Sequence, residues 1–364
     1  MLKLPLKYQF LLAAVLFFMK LRAQDTIVPF GVKTTYHYGF ILPHREVVNE
    51  IIEGHTEVIE VSLFKNVLPD KQWDSFYNSP KIGISILYFD LSNPTQLGKS
   101  IGFYPYFSFT KGKGRIKWEN KFGAGMGYIE KPYNRKTNYQ NLVIGSKFNA
   151  LISANTQLHI KINNQLNTTV GLSLLHFSNA AFTVPNLGIN IVSLNVGMAY
   201  HFGEDVIIPS KEIEERKRIW SKNVVVGFGV KEIFPVEGPK YAVITSSFNM
   251  MKIRSNKSSF GAGFDLFYNS SLSAFLANDE AYEVNNADNV RAGVTLIYSL
   301  DFGRFSTLIQ LGGYLYNKET EKGLIYNRFM MRYYTNKKVF FNLGLKTHMA
   351  VADYLEAGVG VKFN

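Results

Sequence analysis

The chain has 364 residues, of which 19% are charged and 15% are aromatic, and its mean hydropathy is −0.03. This composition is too apolar for a disordered chain and not apolar enough for a helical membrane protein. The absence of cysteine excludes a disulfide scaffold, a cysteine-ligated metal, a thiol nucleophile and a lipoprotein anchor. The 29 Phe, 21 Tyr and 29 Gly residues instead favour strands that present one face to lipid and the other to water.

The formal net charge is +12, from 40 basic and 28 acidic residues. A basic surface suits nucleic acid, acidic lipid or phosphorylated glycolipid. The sequence contains no basic run and no zinc-finger spacing, so we expect no nucleic-acid partner. It also contains no metal-ligand spacing, and we predict neither a metal nor a cofactor.

Residues 1–24 predict a signal peptide. Lys3 and Lys7 precede an unbroken apolar run from Phe10 to Met19, and Ala23 and Gln24 offer a cleavage region. The run is shorter than the roughly 20 residues that a membrane-spanning helix needs. A secreted, membrane-compatible chain without a spanning helix favours a transmembrane β-barrel.

Alternating hydrophobicity and turn residues predict about sixteen antiparallel strands in an all-β fold. The alternation is clear over 115–129, where Ile116 and Trp118 share one face while Lys117, Glu119 and Lys121 share the other. The predicted strands are 31–42, 55–65, 81–91, 99–110, 115–129, 142–163, 165–178, 189–202, 222–233, 240–254, 258–269, 288–300, 304–316, 326–334, 338–348 and 354–363.

The lengths of the connections predict how the strands cross the membrane. If the chain starts in the periplasm, every second connection is periplasmic and should be short. The short connections that fit this rule centre on 111–114, 163–165, 255–258, 301–304 and 335–338. Longer connections, including 130–141, 179–188 and 270–287, are expected at the cell surface.

Residues 203–221 interrupt the strand pattern with a charged segment that suits a short helix. We predict that this segment is a periplasmic linker between two barrel halves, 25–202 and 222–364. The first half alone could close a small barrel, or all sixteen strands could close one wider barrel. We favour the single barrel over two, because a lone closed barrel leaves no strand edges to protect.

A motif in the first half resembles a known enzyme signature. His176, Ser178, Asn179 and Ala180 form a His-x-Ser-Asn-Ala core, and Pro-Asn-Leu-Gly follows at 185–188. This arrangement resembles the signature of outer-membrane lipid A 3-O-deacylases over roughly residues 30–202. The resemblance implies an eight-stranded outer-membrane barrel and a serine esterase that removes an acyl chain from lipid A. The second half, 222–364, resembles only the longer acyloxyacyl-hydrolase-like proteins.

Strand geometry gives the motif a chemical interpretation. Alternate residues of a strand share a face, so His176 and Ser178 are expected on the lipid side with Leu172 and Leu174. An esterase for a lipid of the outer leaflet needs its nucleophile there. We expect Ser178 to attack the ester carbonyl while His176 takes the serine proton.

Three further residues complete the predicted site. The backbone N–H of Ala181, together with Asn179, is expected to stabilise the tetrahedral oxyanion. Asn190, on the next strand, is expected at the same height as His176 and on the same side, where it would hold the imidazole. The family usually has an acid at the place of Asn190. An asparagine can orient a histidine, as in Cys-His-Asn proteases, but supports the imidazolium less.

Two functions other than lipid A hydrolysis stay open at this point. The lumen could pass or hold an anionic solute, with a lining of Lys33, Lys117, Glu119, Lys121 and Lys346. The chain could also be a structural or adhesive outer-membrane protein that acts through its exterior loops. His348 and Glu356 are expected in a polar network of the lumen, whereas His37 and His44 are expected at the membrane interface.

Overall fold

The computed structural model describes residues 30–67, 77, 80–202, 215–277, 283, 285–349 and 351–363. The predicted signal peptide and residues 203–214 of the predicted linker lie outside the described residues. The described part of the chain contains sixteen strands and only short helical segments. None of the helices described is long and apolar enough to cross a membrane.

The first eight strands form a closed antiparallel barrel. Its closure is the pairing of the first strand with the eighth, which runs from Phe30 opposite Phe202 to Ile41 opposite Ile191. The strands are β1 (Phe30–Ile41), β2 (Thr56–Asn66), β3 (Lys81–Asp90), β4 (Lys99–Lys111), β5 (Ile116–Ile129), β6 (Phe148–Lys161), β7 (Leu166–Ser178) and β8 (Ile189–Phe202). A short helix, α1 (Glu46–Asn49), lies in the connection between β1 and β2.

The last eight strands form a second closed antiparallel barrel. They are β9 (Trp220–Lys231), β10 (Tyr241–Ile253), β11 (Ser258–Asn269), β12 (Val290–Phe302), β13 (Phe305–Tyr316), β14 (Ile325–Tyr334), β15 (Val339–His348) and β16 (Val351–Phe363). Strand β16 closes the barrel on β9, from Glu356 opposite Gly229 to Phe363 opposite Lys222. Helix α2 (Ser271–Leu276) and a 3₁₀ turn (Asn286–Asn289) lie between β11 and β12.

The prediction of about sixteen strands in an antiparallel barrel fold is confirmed, but the preference for a single barrel is wrong. Strand β1 pairs with β8, not with β16. The argument from strand edges does not separate the two possibilities, because two closed barrels also leave no edge unpaired. Eight strands are already enough to enclose an interior that side chains fill.

The predicted helix in the linker does not extend over the residues that are described. Residues 215–219 are irregular, and Trp220 begins β9. The chain divides into two compact units, one for each barrel, with Ala180–Pro185 grouped with the second unit.

Both barrels carry apolar side chains on their outer faces, as strands that span a membrane require. In β5, Trp118 is 48% exposed whereas Glu119 and Lys121 are buried in the lumen. In β15 of the second barrel, Phe341 and Leu343 are exposed and the intervening Asn342 is buried. The alternation predicted over 115–129 is therefore confirmed, and β15 shows the same pattern.

The lumen of the first barrel has a polar middle and an apolar end. In the middle, Glu60 accepts hydrogen bonds from His37 Nε2 at 3.1 Å and from Tyr104 Oη at 2.7 Å, and it pairs with Lys121. His37 is fully buried, so the prediction that it lies at the membrane interface is wrong. Towards the connection between β7 and β8, a buried apolar cluster follows, which includes Phe89, Leu151, Leu175, Phe177, Ile189 and Ile191.

The lumen of the second barrel is more strongly charged. Asp353 pairs with Lys231 and with Lys346, whose Nζ lies 2.8 Å from Asp353 Oδ2. Deeper inside, Arg328 pairs with Asp265 at 2.9 Å and with Glu356. His348 is buried beside Lys346 and Asp353. His348 and Glu356 therefore belong to polar networks of the lumen, as predicted.

Candidate active site

The predicted site lies where β7 ends and the connection to β8 begins. Along the outer face of β7, Val170, Leu172 and Leu174 are 45%, 52% and 44% exposed. His176 follows on the same alternation and is partly exposed. Ser178, the last residue of β7, has the same parity but is only 9% exposed. The structure therefore places His176 on the outer face and Ser178 at its sheltered end.

Asn186 holds the predicted nucleophile. Its Nδ2 donates to Ser178 Oγ at 2.9 Å, while its Oδ1 accepts the backbone N–H of Asn179 at 3.0 Å. One amide thus clamps two consecutive residues of the motif. Asn186 is itself placed by an isolated bridge to Ile144 in the connection between β5 and β6. The serine is therefore held by two different connections of the barrel.

Asn190 holds the imidazole of His176, as predicted from the register. The two residues are directly opposite each other in the pairing of β7 with β8. Asn190 Oδ1 lies 2.7 Å from His176 Nδ1. Because a carbonyl oxygen can only accept, Nδ1 carries the proton in this arrangement. The lone pair of His176 is then on Nε2, which is the atom that a general base uses towards a serine.

Gly188 lies directly against the imidazole. Its φ of +82° belongs to the left-handed region, and a Cβ at this position would lie 2.9 Å from His176 Cε1. Only glycine combines this backbone conformation with so close an approach. The backbone N–H groups of Leu187 and Gly188 both donate to Val143 O, at 2.9 and 3.0 Å. This segment therefore forms a fixed wall beside the histidine.

His44 completes a chain of hydrogen bonds behind Asn190. Its Nδ1 lies 3.2 Å from Asn190 Nδ2, and its Nε2 lies 3.2 Å from Leu187 O. His44 is exposed and follows the end of β1. The closure of β1 on β8 brings it there, because the backbone N–H of Leu42 donates to Asn190 O at 2.7 Å.

The two residues predicted to stabilise the oxyanion, Asn179 and Ala181, have different surroundings. The side chain of Asn179 is buried and donates through Nδ2 to Ser146 Oγ at 2.8 Å. Ala181 has a positive φ of 60° and belongs to the second compact unit, in which its carbonyl accepts the backbone N–H of Glu232 at 2.8 Å. Their roles in catalysis stay predictions.

Sequence reasoning did not single out Asn186, His44 or Ser146 as site residues. Asn186 lies in the Pro-Asn-Leu-Gly segment that supported the family resemblance, so a signal for it was present. His44 required knowledge of which strand closes on β8. Ser146 belongs to a long connection, and no local pattern shows where such a connection folds back. Within the described ranges, no group of three or more His, Asp or Glu residues is arranged to hold a metal ion.

Two family models match the chain. The model described as Lipid A 3-O-deacylase (PagL) matches residues 57–199, and the one described as Acyloxyacyl hydrolase, C-terminal domain matches residues 220–364. No curated protein matches the chain significantly.

Among solved structures, a mutant porin of Rh. blastica is 6% identical, with a TM-score of 0.19 and coverage of 93% of this chain and 100% of the porin. OccAB4 of Acinetobacter baumannii is 13% identical, with a TM-score of 0.23 and coverage of 93% and 98%. TM-scores this low support no conclusion about the fold or function of this chain.

The family evidence therefore comes from the two models, which between them match both barrels. The first names a lipid A deacylase and the second an acyl hydrolase, so an acyl hydrolase is implied for the chain as a whole. The motif around Ser178 lies inside the first match. The chain belongs to the lipid A 3-O-deacylase family, and its second barrel is an acyloxyacyl hydrolase C-terminal domain.

Proposed function

We propose that this protein is an outer-membrane serine esterase that hydrolyses an ester-linked acyl chain of lipid A on the lipid-facing surface of its first barrel. The observation that carries the proposal is the hydrogen bond between His176 Nδ1 and Asn190 Oδ1, at 2.7 Å on the outer face. It supports an imidazole whose Nε2 is available as a base, on the same strand face as Ser178.

The reaction begins when Ser178 Oγ attacks the ester carbonyl and His176 Nε2 takes the serine proton. Asn186 Nδ2 donates to Ser178 Oγ at 2.9 Å, and the serine hydroxyl lies 3.4 Å from Asn186 Oδ1, so the hydroxyl turns from Asn186 to His176 when the substrate binds. As the bond between the carbonyl carbon and the sugar oxygen breaks, the imidazolium gives its proton to that oxygen, which leaves as a hydroxyl. Water, activated by the same histidine, cleaves the acyl-enzyme and releases the fatty acid.

The tetrahedral intermediate carries a negative charge on the former carbonyl oxygen. Preorganised donors close to that oxygen stabilise it without reorganisation during the reaction. We propose that the backbone N–H of Ala181, together with Asn179, stabilises this oxyanion. Asn186 Nδ2 is a third donor, because it lies beside the attacking oxygen. Asn179 is held in position by its hydrogen bonds to Asn186 and Ser146.

The position of the site supports a membrane lipid as the substrate. Val170, Leu172 and Leu174 lead along the outer face to His176, so an acyl chain that lies against β7 brings its ester to the catalytic pair. The short turns at the opposite end are then periplasmic, and the connection between β7 and β8 is at the cell surface. The substrate there is the lipid A of lipopolysaccharide in the outer leaflet.

The lumens offer less support for transport of an anionic solute. Of the residues predicted to line such a path, Lys121 pairs with Glu60, and Lys346 pairs with Asp353. All four side chains are buried. Cations that are already paired in a filled interior attract a passing anion only weakly.

Mass spectrometry of lipid A from cells that express the protein tests the proposal. We expect Ser178→Ala to abolish deacylation while the heat-modifiable folded band persists on a gel. Ser193→Ala is the matched control, because Ser193 faces the lumen on β8 and its buried hydroxyl makes no hydrogen bond. Equal deacylation by the wild type and Ser178→Ala would eliminate this mechanism.

A further inference from the structure

An asparagine in the place of a catalytic acid creates a problem that a carboxylate does not have. A carboxylate presents two equivalent oxygens, whereas the amide of Asn190 presents either Oδ1 or Nδ2 to His176. If Oδ1 faces the ring, Nδ1 carries the proton and Nε2 is the base. If the amide is reversed, Nδ2 donates to Nδ1 and the proton moves to Nε2, which can no longer accept the serine proton. Activity therefore depends on which way this amide points.

The surroundings of His44 select one orientation. His44 Nε2 lies 3.2 Å from Leu187 O, a group that only accepts, so the ring proton belongs on Nε2. A neutral imidazole then has its lone pair on Nδ1, which lies 3.2 Å from Asn190 Nδ2. Leu42 O is also 3.1 Å from Nδ1, but a proton on Nδ1 would leave the lone pair of Nε2 against Leu187 O and would lose that hydrogen bond. The ring therefore accepts from Nδ2 and turns Oδ1 towards His176.

We propose that His44 is a positioning residue, which fixes the amide of Asn190 and thereby keeps His176 in the tautomer that serves as a base. The inference rests on the function proposed above and goes beyond it, because His44 need not touch the substrate. The chain of donors runs from His176 Nδ1 to Asn190 Oδ1, from Asn190 Nδ2 to His44 Nδ1, and from His44 Nε2 to Leu187 O.

The register of the barrel keeps this arrangement in place. Ile41 is opposite Ile191, and the next backbone bond joins Leu42 to Asn190 O at 2.7 Å. His44 is thus two residues beyond a backbone hydrogen bond to the residue that it orients. The backbone N–H of Leu187 donates to Val143 O, so Asn190 and Leu187 are both held by backbone hydrogen bonds.

The proposal predicts a coupling between positions 44 and 190 that a merely structural role would not produce. We expect His44→Phe to lower kcat about 3- to 10-fold with little change in KM, because one orienting hydrogen bond is lost. In the Asn190→Asp background, the same substitution should change kcat less than about 2-fold, because a carboxylate needs no orientation. His44→Gln should restore part of the activity, because its amide oxygen can accept from Asn190 Nδ2.

The measurement is fatty acid release by the purified full chain from lipid A in detergent micelles, with the folded band on a gel as a check on each variant. His55→Phe is the control, because His55 lies in the same connection and contacts Gly39 O instead of the site. Equal losses of kcat from His44→Phe in both backgrounds would overturn the proposal, as would no loss in the wild-type background. Ser178→Ala, measured in parallel, separates these outcomes from a failure of the proposed esterase mechanism.

Discussion

The seventh strand of each barrel has a histidine near its end, and the two histidines face opposite ways. His176 lies on the outer face of β7, in line with Leu172 and Leu174. His348 ends β15 with its side chain in the lumen, only 6% exposed. The same residue type in the same strand of two similar barrels therefore has two different surroundings.

A difference of one residue in spacing accounts for the opposite directions. The first strand contains Gly-Leu-Ser-Leu-Leu-His at 171–176, whereas the second contains Gly-Leu-Lys-Thr-His at 344–348. Because side chains alternate between faces, a shift of one residue moves a side chain from outside to inside. The pairing of β15 with β16 also shifts register between Lys346 and Thr347. The leucine after glycine faces outward in both strands, but only the first histidine does so.

The surroundings then determine what each histidine can do. His176 bonds to the neutral amide of Asn190 and is partly exposed on the outer face of β7, the face to which Ser178 also belongs. His348 Nε2 lies 2.9 Å from Tyr314 Oη, and its Nδ1 lies 3.6 Å from Asp353 Oδ2. The comparison teaches that access to substrate, more than the presence of a histidine and a partner, separates a candidate base from a member of a structural network.

Replacing each histidine by alanine tests the comparison most directly. We expect His176→Ala to lower the rate of deacylation by about 10³-fold or more, because removing one member of a catalytic unit costs about as much as removing all of its members. Its effect on unfolding should be small, since the ring is at the surface. His348→Ala should leave deacylation unchanged and destabilise the second barrel by about 1–2 kcal/mol, because a buried hydrogen bond is lost.

Lipid A mass spectrometry and the temperature at which the folded band disappears on a gel measure the two effects. A loss of deacylation in His348→Ala, with the fold intact, would mean that the second histidine also serves the reaction.

The charged end of the second lumen predicts the next largest effect. Asp353 pairs with Lys231 and Lys346, and Arg291 Nη1 lies 4.0 Å from it. Asp353→Asn leaves the buried Lys231 and Lys346 without their carboxylate, whereas Arg291 keeps its pair with Glu319, so we expect destabilisation by about 3–5 kcal/mol. Arg216→Ala is the control, because Arg216 pairs with Asp301 while 37% exposed, and it should cost less than about 1 kcal/mol.

Deacylation by the Asp353→Asn variant should persist at temperatures where the band is still folded. A thermal shift no larger than that of Arg216→Ala would show that the buried network contributes little to the stability of the second barrel.

The sequence was sufficient to predict the strands and the faces of β5 and β7, because a period of two is a local property. It also placed Asn190 opposite His176, since register follows from the length of one hairpin. It could not show that β1 closes on β8, because closure is a long-range pairing without a local pattern. For this reason the sequence favoured the wrong number of barrels and did not show that His44 lies beside Asn190.

Two glycines with the same backbone conformation sharpen the comparison further. Gly188 and Gly323 both have a φ of +82°, but a Cβ at Gly188 would lie 2.9 Å from His176 Cε1, whereas a Cβ at Gly323 would meet nothing within 4 Å. Replacement by alanine adds left-handed strain of about 1–2 kcal/mol at either position. Gly188→Ala must also displace the imidazole, and small displacements of catalytic groups are costly.

We therefore expect Gly188→Ala to lower kcat about 10- to 100-fold and Gly323→Ala to leave kcat unchanged, with similar small losses of thermal stability. Both variants are compared in the assay of fatty acid release from lipid A. Because the strain is matched, a difference in kcat reports the close contacts of a Cβ at position 188, of which the nearest is with His176 Cε1 and the next is with Phe177 O at 3.1 Å. Equal kcat values for the two variants would show that the close contact between Gly188 and the imidazole of His176 does not matter for the reaction.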